Sequence, residues 1–147
     1  MTKTESLAVY LGKYAPDNVA ETILALAGAA AGIAAQIRNP QTMLDAAAGD
    51  TNADGDTQKQ LDVLADSMIE DALRDTATSV YLSEERAAAV DLGAGDLMVA
   101  CDPLDGSSNI GVNVSVGTIV SVLPAAGGIL QPGKAQLAAC LFVYGPQ

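Results

Sequence analysis

From Val19 onward the apolar positions fall at steps of four and three: Val19, Ile23, Leu26, Ala30, Ile33 and Ile37. That spacing lays one stripe along a helix. Asn18 with Glu21 three residues on has the form of an N-terminal cap, and Asn39-Pro40 ends the element. The small residues Gly28 to Gly32 would allow close packing against another helix or a subunit. Thr57 and Gln60 form a second capping pair, ahead of a stripe made by Leu61, Leu64, Ala65, Met68, Ala72 and Leu73. Beyond Thr78 the pattern changes. Thr78 to Leu82 reads as a short strand stopping at Ser83-Glu84-Glu85. Ala87 to Leu92 leads away, and Gly93-Ala-Gly95 turns the chain back. The apolar run Leu97 to Cys101 then heads toward the same edge as the first strand. Val112, Val114, Val116, Val120 and Val122 alternate with Asn113, Ser115, Gly117 and Ser121, the signature of a half-buried strand. Pro124 to Gly128 is a turn, Gln131-Pro-Gly133 a loop, and Leu137 to Tyr144 a nearly continuous apolar strand. Helices followed by strands predict an α+β or α/β layered sandwich, with helices packed on a mixed sheet.

The chemistry concentrates where the two converging strands end. Pro103 cannot donate to a ladder, so pairing of the second strand is expected to stop at Asp102. Asp102 and Asp105 sit three residues apart with the Leu104 carbonyl between them, and Gly106, Ser107 and Ser108 follow. The backbone amides of such small residues can be approached closely by a ligand. An isolated Asp-x-x-Asp-Gly-Ser is ordinarily a surface turn, and a bare Glu-Glu a solvated strand end. Here both strands deliver acids to one place, Glu84 and Glu85 from one, Asp102 and Asp105 from the other, where open α/β sheets place ligands. Asp56 and Asp62 stand near the start of the second helix. Six residues are about 240° of helical rotation, so spacing alone does not bring these two together. Asp56 is equally explained as a charge favourable to the helix dipole. Unpaired anions at this density repel one another and raise each other's pKa, a penalty that divalent cations remove. All-oxygen ligands suit Mg²⁺ or Mn²⁺ better than zinc.

Composition narrows the picture. Half of the residues are apolar and the formal charge is −11, which argues against nucleic acid or an anionic membrane surface as partner. With no His and only Cys101 and Cys140, a zinc site built on His or Cys is out of reach. Each Cys lies in an apolar strand-like run, as expected of free thiols in a reducing cytosol. Met1 to Pro16 has no apolar core of a signal peptide, and Thr22 to Ile37, bracketed by Glu21 and Arg38, is short and Ala/Gly-rich for a membrane span. A buried helix is the expectation. Asp50, Asn52, Asp54, Gly55 and Asp56 mimic the opening of a calcium loop, but Leu61 stands where the bidentate Glu belongs.

Asp102-Pro-Leu-Asp-Gly-Ser-Ser-Asn-Ile110, followed by Val114-Ser-Val-Gly-Thr-Ile119, closely resembles the class I fructose-1,6-bisphosphatases, within the wider group of metal-dependent sugar and inositol phosphatases. The resemblance runs from about Asn18 to the last residue and covers roughly the first half of such an enzyme. It implies that residues 1–147 form an amino-terminal metal-binding domain, the amino-terminal half of the sugar phosphatase fold, without the carboxyl-terminal sugar-phosphate domain. It implies Mg²⁺, with Mn²⁺ as a substitute, two or more ions per site, held by Glu84, Glu85, Asp102, the Leu104 carbonyl and Asp105. Asp62 and Glu85, helped by Asp56, would orient and deprotonate the attacking water. Asp105 and the Gly106, Ser107 and Ser108 amides would hold the 1-phosphate of fructose 1,6-bisphosphate, leaving fructose 6-phosphate. A homo-oligomer, a tetramer by resemblance, and a cytoplasmic location go with this reading. The match of Leu61-Asp62-Val63-Leu64 to the family's acidic loop-helix segment is what raises Asp62 above an ordinary helix charge. The chain departs from the family at Gly111, usually Asp, and at Val120, often aromatic. The Thr-Gly-Glu-Leu-type pattern of the family's AMP site is absent, so AMP control does not carry over. The competing readings are a phosphatase of another sugar or inositol phosphate, and a non-catalytic domain binding metal or a partner. The final strand, without a neighbour, is expected to favour self-association.

Overall fold

The computed structural model describes residues 5–38, 55–109 and 115–145. Helix α1, Leu7–Tyr14, was not foreseen from the periodicity; Ser6 caps it by accepting the Val9 amide at 3.4 Å. Helix α2, Asp17–Arg38, buries the anticipated residues Val19, Ile23, Leu26, Ala30, Ile33 and Ile37. It begins before Asn18, whose side chain has another task. Asn18 Nδ2 donates to both carboxylate oxygens of Asp96, at 3.0 and 2.9 Å, tying the helix to the loop that leads into the sheet. By length and composition α2 could cross a membrane. Its buried stripe packs on the next helix and the sheet, as the core helix of a globular domain does.

Helix α3 spans Gly55–Arg74 and so starts two residues before Thr57, which lies inside the first turn rather than at the cap. Its buried line is Leu61, Ala65, Ile69 and Leu73; Leu64, Met68 and Ala72 are half-buried, and the central Ile69 was not among the expected positions. A Cβ on Gly32 of α2 would come within 2.5 Å of Met68 Cε on α3. The small-residue stretch therefore serves helix–helix contact.

Five strands follow: β1 Thr78–Ser83, β2 Val90–Asp91, β3 Leu97–Asp105, β4 Gly117–Pro124 and β5 Ala138–Val143. The order across the sheet is β2-β1-β3-β4-β5. β1 and β3 run parallel and the other pairs antiparallel, the mixed sheet expected of the sequence. The helices cover one face, where Tyr81, Leu97, Val99, Cys101, Val120 and Val122 meet them. The opposite face is open, with Leu82, Ala100, Ile119 and Leu141 lining a shallow groove of about 740 Å³. β5 forms one edge, and Leu141 and Val143 on it are exposed. Both cysteines are free; Cys101 is buried and its thiol pushed up to about 12, chiefly by burial.

One strand end differs from expectation. β3 does not stop at Asp102 but continues through Pro103 to Asp105. Asp102 pairs with Ile119 and Asp105 with Gly117, so Pro103 and Leu104 together stand opposite the single residue Thr118. A bulge of this kind absorbs a proline that a regular ladder would refuse. The calcium-like positions Asp50, Asn52 and Asp54, the helix stop Asn39-Pro40, and Gly111, Val112 and Val114 lie outside the described residues.

Candidate functional site

The parallel register aligns Leu82 with Ala100 and Ser83 with Cys101, so β1 and β3 end level with each other. The Glu84 amide donates to the Cys101 carbonyl at 3.0 Å, carrying the alignment past the last ladder pair. Glu84 and Asp102 are thereby neighbours, and both line the end of the open groove. The Asp102 carboxyl is pushed up to about 6, first by burial and then by the hydrogen bond and charge of Glu84, with Asp105 adding to it. A bond from the Leu104 amide to Asp102 Oδ1, at 3.1 Å, works against that shift.

A second set faces α3. Glu85 is raised by burial and then by the charges of Asp62, Glu84 and Asp66. Asp62 is raised by burial and partly relieved by Ser107, whose hydroxyl donates to Asp62 Oδ2 at 3.3 Å. Among the described residues, Asp62 Oδ1 is buried with no hydrogen-bond partner. The structure thus joins Glu84 to Asp102, and Glu85 to Asp62, with Asp105 exposed beyond the bulge. Among the described residues it does not gather three carboxylates into one ligand set. Asp56 lies on the first turn of α3, and its side chain is outside the described residues. Gly106 has φ of 78°, a left-handed conformation open to glycine at little cost, and there the chain leaves β3 for the short 3-10 turn Ser107–Asn109.

A residue absent from the expectations above, Arg86, secures this end of the sheet. Arg86, directly after Glu85, places Nε 2.5 Å from Asp66 Oδ2 and Nη2 2.6 Å from Glu70 Oε2. The Tyr81 hydroxyl donates to Asp66 Oδ1 at 2.9 Å, and the guanidinium lies 5.8 Å from the Tyr81 ring centroid. These contacts fasten the Glu84-Glu85 turn to α3. A signal was present: Asp62, Asp66 and Glu70 recur at steps of four along one helix face, with an arginine next to the glutamate pair.

Arg86 compensates Asp66 and Glu70. The described contacts give Asp62, Glu84, Glu85 and Asp102 no such cation. The raised pKa values of Asp62, Glu85 and Asp102, and the Asp62 oxygen without a described partner, are what a hard divalent cation would correct. The donor set, all oxygen, fits Mg²⁺ or Mn²⁺.

Comparison with known proteins agrees with this architecture. The family described as fructose-1-6-bisphosphatase, N-terminal domain, matches residues 12–147. The chain is 50% identical over 135 residues to a class 1 fructose-1,6-bisphosphatase of Cereibacter sphaeroides, covering 88% of this chain and 41% of the relative. It is 47% identical, with the same coverage, to the class 1 enzyme of Rhodobacter capsulatus. The crystal structure of Leishmania major fructose-1,6-bisphosphatase in holo form superposes with a TM-score of 0.80 at 28% identity, over 97% of this chain and 46% of that one. The chain therefore spans less than half the length of the relatives it matches. On sequence, fold and coverage together, the chain belongs to the fructose-1,6-bisphosphatase family, where it corresponds to the amino-terminal domain.

Proposed function

We propose that this chain carries the metal- and phosphate-binding half of a Mg²⁺-dependent phosphatase that removes the 1-phosphate of fructose 1,6-bisphosphate, giving fructose 6-phosphate. The observation that carries the proposal is the convergence of uncompensated carboxylates at the level ends of parallel β1 and β3, directly before the Gly106 turn. Glu84, Glu85, Asp102, the Leu104 carbonyl and Asp105 would hold two or more ions, Mg²⁺ or in its place Mn²⁺. Bound there, such cations supply charge against the phosphoryl oxygens and acidify water. Asp62, oriented by the Ser107 hydroxyl, accepts the proton of the attacking water together with Glu85, with Asp56 assisting. The amides of Gly106, Ser107 and Ser108, beside Asp105, point to where the 1-phosphate would be held during in-line attack. A homo-oligomeric state and a cytoplasmic setting complete the proposal.

The relatives are more than twice as long as this chain, and residues remote from the reacting phosphate contribute binding energy that is used in the transition state. Turnover of several phosphate esters with Mg²⁺ is the test, on the chain itself and on the chain extended by the carboxyl-terminal half of a relative. The extended form is expected to hydrolyse fructose 1,6-bisphosphate, and the chain alone poorly or not at all. Preference for an inositol phosphate would replace the substrate. Cation binding without hydrolysis in either form would leave a metal-binding domain.

A further inference from the structure

We propose that Thr118 and Tyr144 are positioning residues for the cation site, acting through a hydrogen-bonded relay that fixes the β3 bulge. The inference rests on the preceding reading of Asp102, Leu104 and Asp105 as cation ligands. Pro103 and Leu104 share one place in the ladder, opposite Thr118, so regular pairing does not orient the peptides between the acids. Pro103 brings no N–H of its own. Its carbonyl instead accepts the Thr118 hydroxyl at 2.7 Å. That bond uses the only proton of Thr118 Oγ1, so in the contact between Thr118 and the Tyr144 hydroxyl the phenol donates. Tyr144 is anchored in turn by its amide, which donates to the Val116 carbonyl at 2.9 Å. The order is thus Tyr144 to Thr118 to Pro103, running from beyond β5 across β4 to the bulge on β3.

The remaining contacts point the same way. The Leu104 amide holds Asp102 Oδ1, and the Leu104 side chain is buried. With Pro103's carbonyl fixed on the β4 side, the next peptide, which carries the Leu104 carbonyl, is fixed with it. Burial alone does not require a hydroxyl at position 118. Thr118 is fully buried, and a valine would fill the same volume without the relay. Bonds that hold a ligating group in place without touching the ion commonly tune metal affinity by about 10–100-fold.

The test uses the 147-residue chain with Thr118→Val, Thr118→Ser and Tyr144→Phe. Mn²⁺ affinity is read by electron paramagnetic resonance, and amide hydrogen exchange at Leu104 to Ser108 is read without metal. Thr118→Val is expected to weaken Mn²⁺ binding about 10-fold and to speed exchange at Leu104 and Asp105 but not along Leu97 to Cys101. Thr118→Ser keeps the hydroxyl and should restore both readouts, while Tyr144→Phe moves them the same way by less. Wild-type affinity with unchanged exchange in Thr118→Val overturns the proposal. So does exchange that rises evenly over the sheet, which marks a purely structural role. A wild-type chain that binds no Mn²⁺ refutes the cation reading itself, and the exchange comparison then decides alone whether the relay holds the bulge.

Discussion

Two acidic regions lie side by side at one end of this sheet and behave differently. On α3, Asp66 and Glu70 share Arg86, and Asp66 also accepts the Tyr81 hydroxyl. Next to it, the strand-end acids Glu84, Glu85 and Asp102, with Asp62, act on one another. Asp62, Glu85 and Asp102 are raised in pKa by burial, the last two also by neighbouring acids. The first region is closed: its charges are matched and its geometry is fixed by the fold. The second is strained by burial and repulsion, and among the described residues no cation is paired with it. Perturbed carboxylates beside a compensated network mark a working site more securely than acidity does, since both regions are acidic in sequence.

The sharpest break in that comparison is Asp102→Ala. It should reduce divalent cation affinity about 100-fold or more, measured by Mn²⁺ titration, because it removes a charged group proposed to contact the ion. Binding at wild-type strength would reduce Asp102 to a strand-end charge.

Arg86→Met attacks the closed region instead. It leaves Asp66, which is buried, without its cation, and is expected to cost about 3 kcal/mol in urea denaturation. A second effect discriminates further. If Arg86 acted on the cation site only as a charge, its loss would tighten Mn²⁺ binding. If it holds the Glu84-Glu85 turn in place, binding should weaken.

Millimolar Mg²⁺ should raise the thermal midpoint, by about 1–3 kcal/mol of added stability at 10–100 times the dissociation constant. Identical melts with and without Mg²⁺ would argue that the open region needs no cation.

The pH dependence is a subtler measure. Asp102 is raised from an ordinary value of 3.8 to about 6, so the folded state holds its proton more tightly than the unfolded chain does. The favourable contribution is therefore complete below pH 3.8 and is lost as pH rises through about 6. Without metal, the Asp102 contribution to stability should fall across that window. Asp102→Asn should flatten the fall, and Mg²⁺ should offset it above pH 6. The smallest expected effect is that of Asp54→Ala in the calcium-like loop, which should leave cation affinity unchanged. A large loss there would restore the loop as a binding site.

Much of the framework was legible because it depends on period. The α2 stripe, the parallel approach of β1 and β3, and the delivery of Glu84, Glu85, Asp102 and Asp105 to one end follow from where apolar runs start and stop. The Asp102-Pro-Leu-Asp-Gly-Ser stretch is informative for the same reason: its chemistry is local, carried by neighbours in the chain. Asp62 was read from its match to a known segment, and the Ser107 bond places it beside the others across 45 residues of sequence.

What the sequence left undecided depended on partners distant along the chain. Pro103 stays within β3, and its carbonyl accepts the hydroxyl of Thr118, 15 residues later, a bond outside the ladder. Asn18 reads as a cap until Asp96, 78 residues away, is seen to occupy its amide. Which of the clustered acids the chain itself neutralises depends on Arg86 reaching α3 from the β1 turn. Local pattern sets which face a side chain presents, since that follows from backbone period alone. Which charge meets which is set by the packing of α3 against the sheet, and no one-dimensional spacing contains that distance.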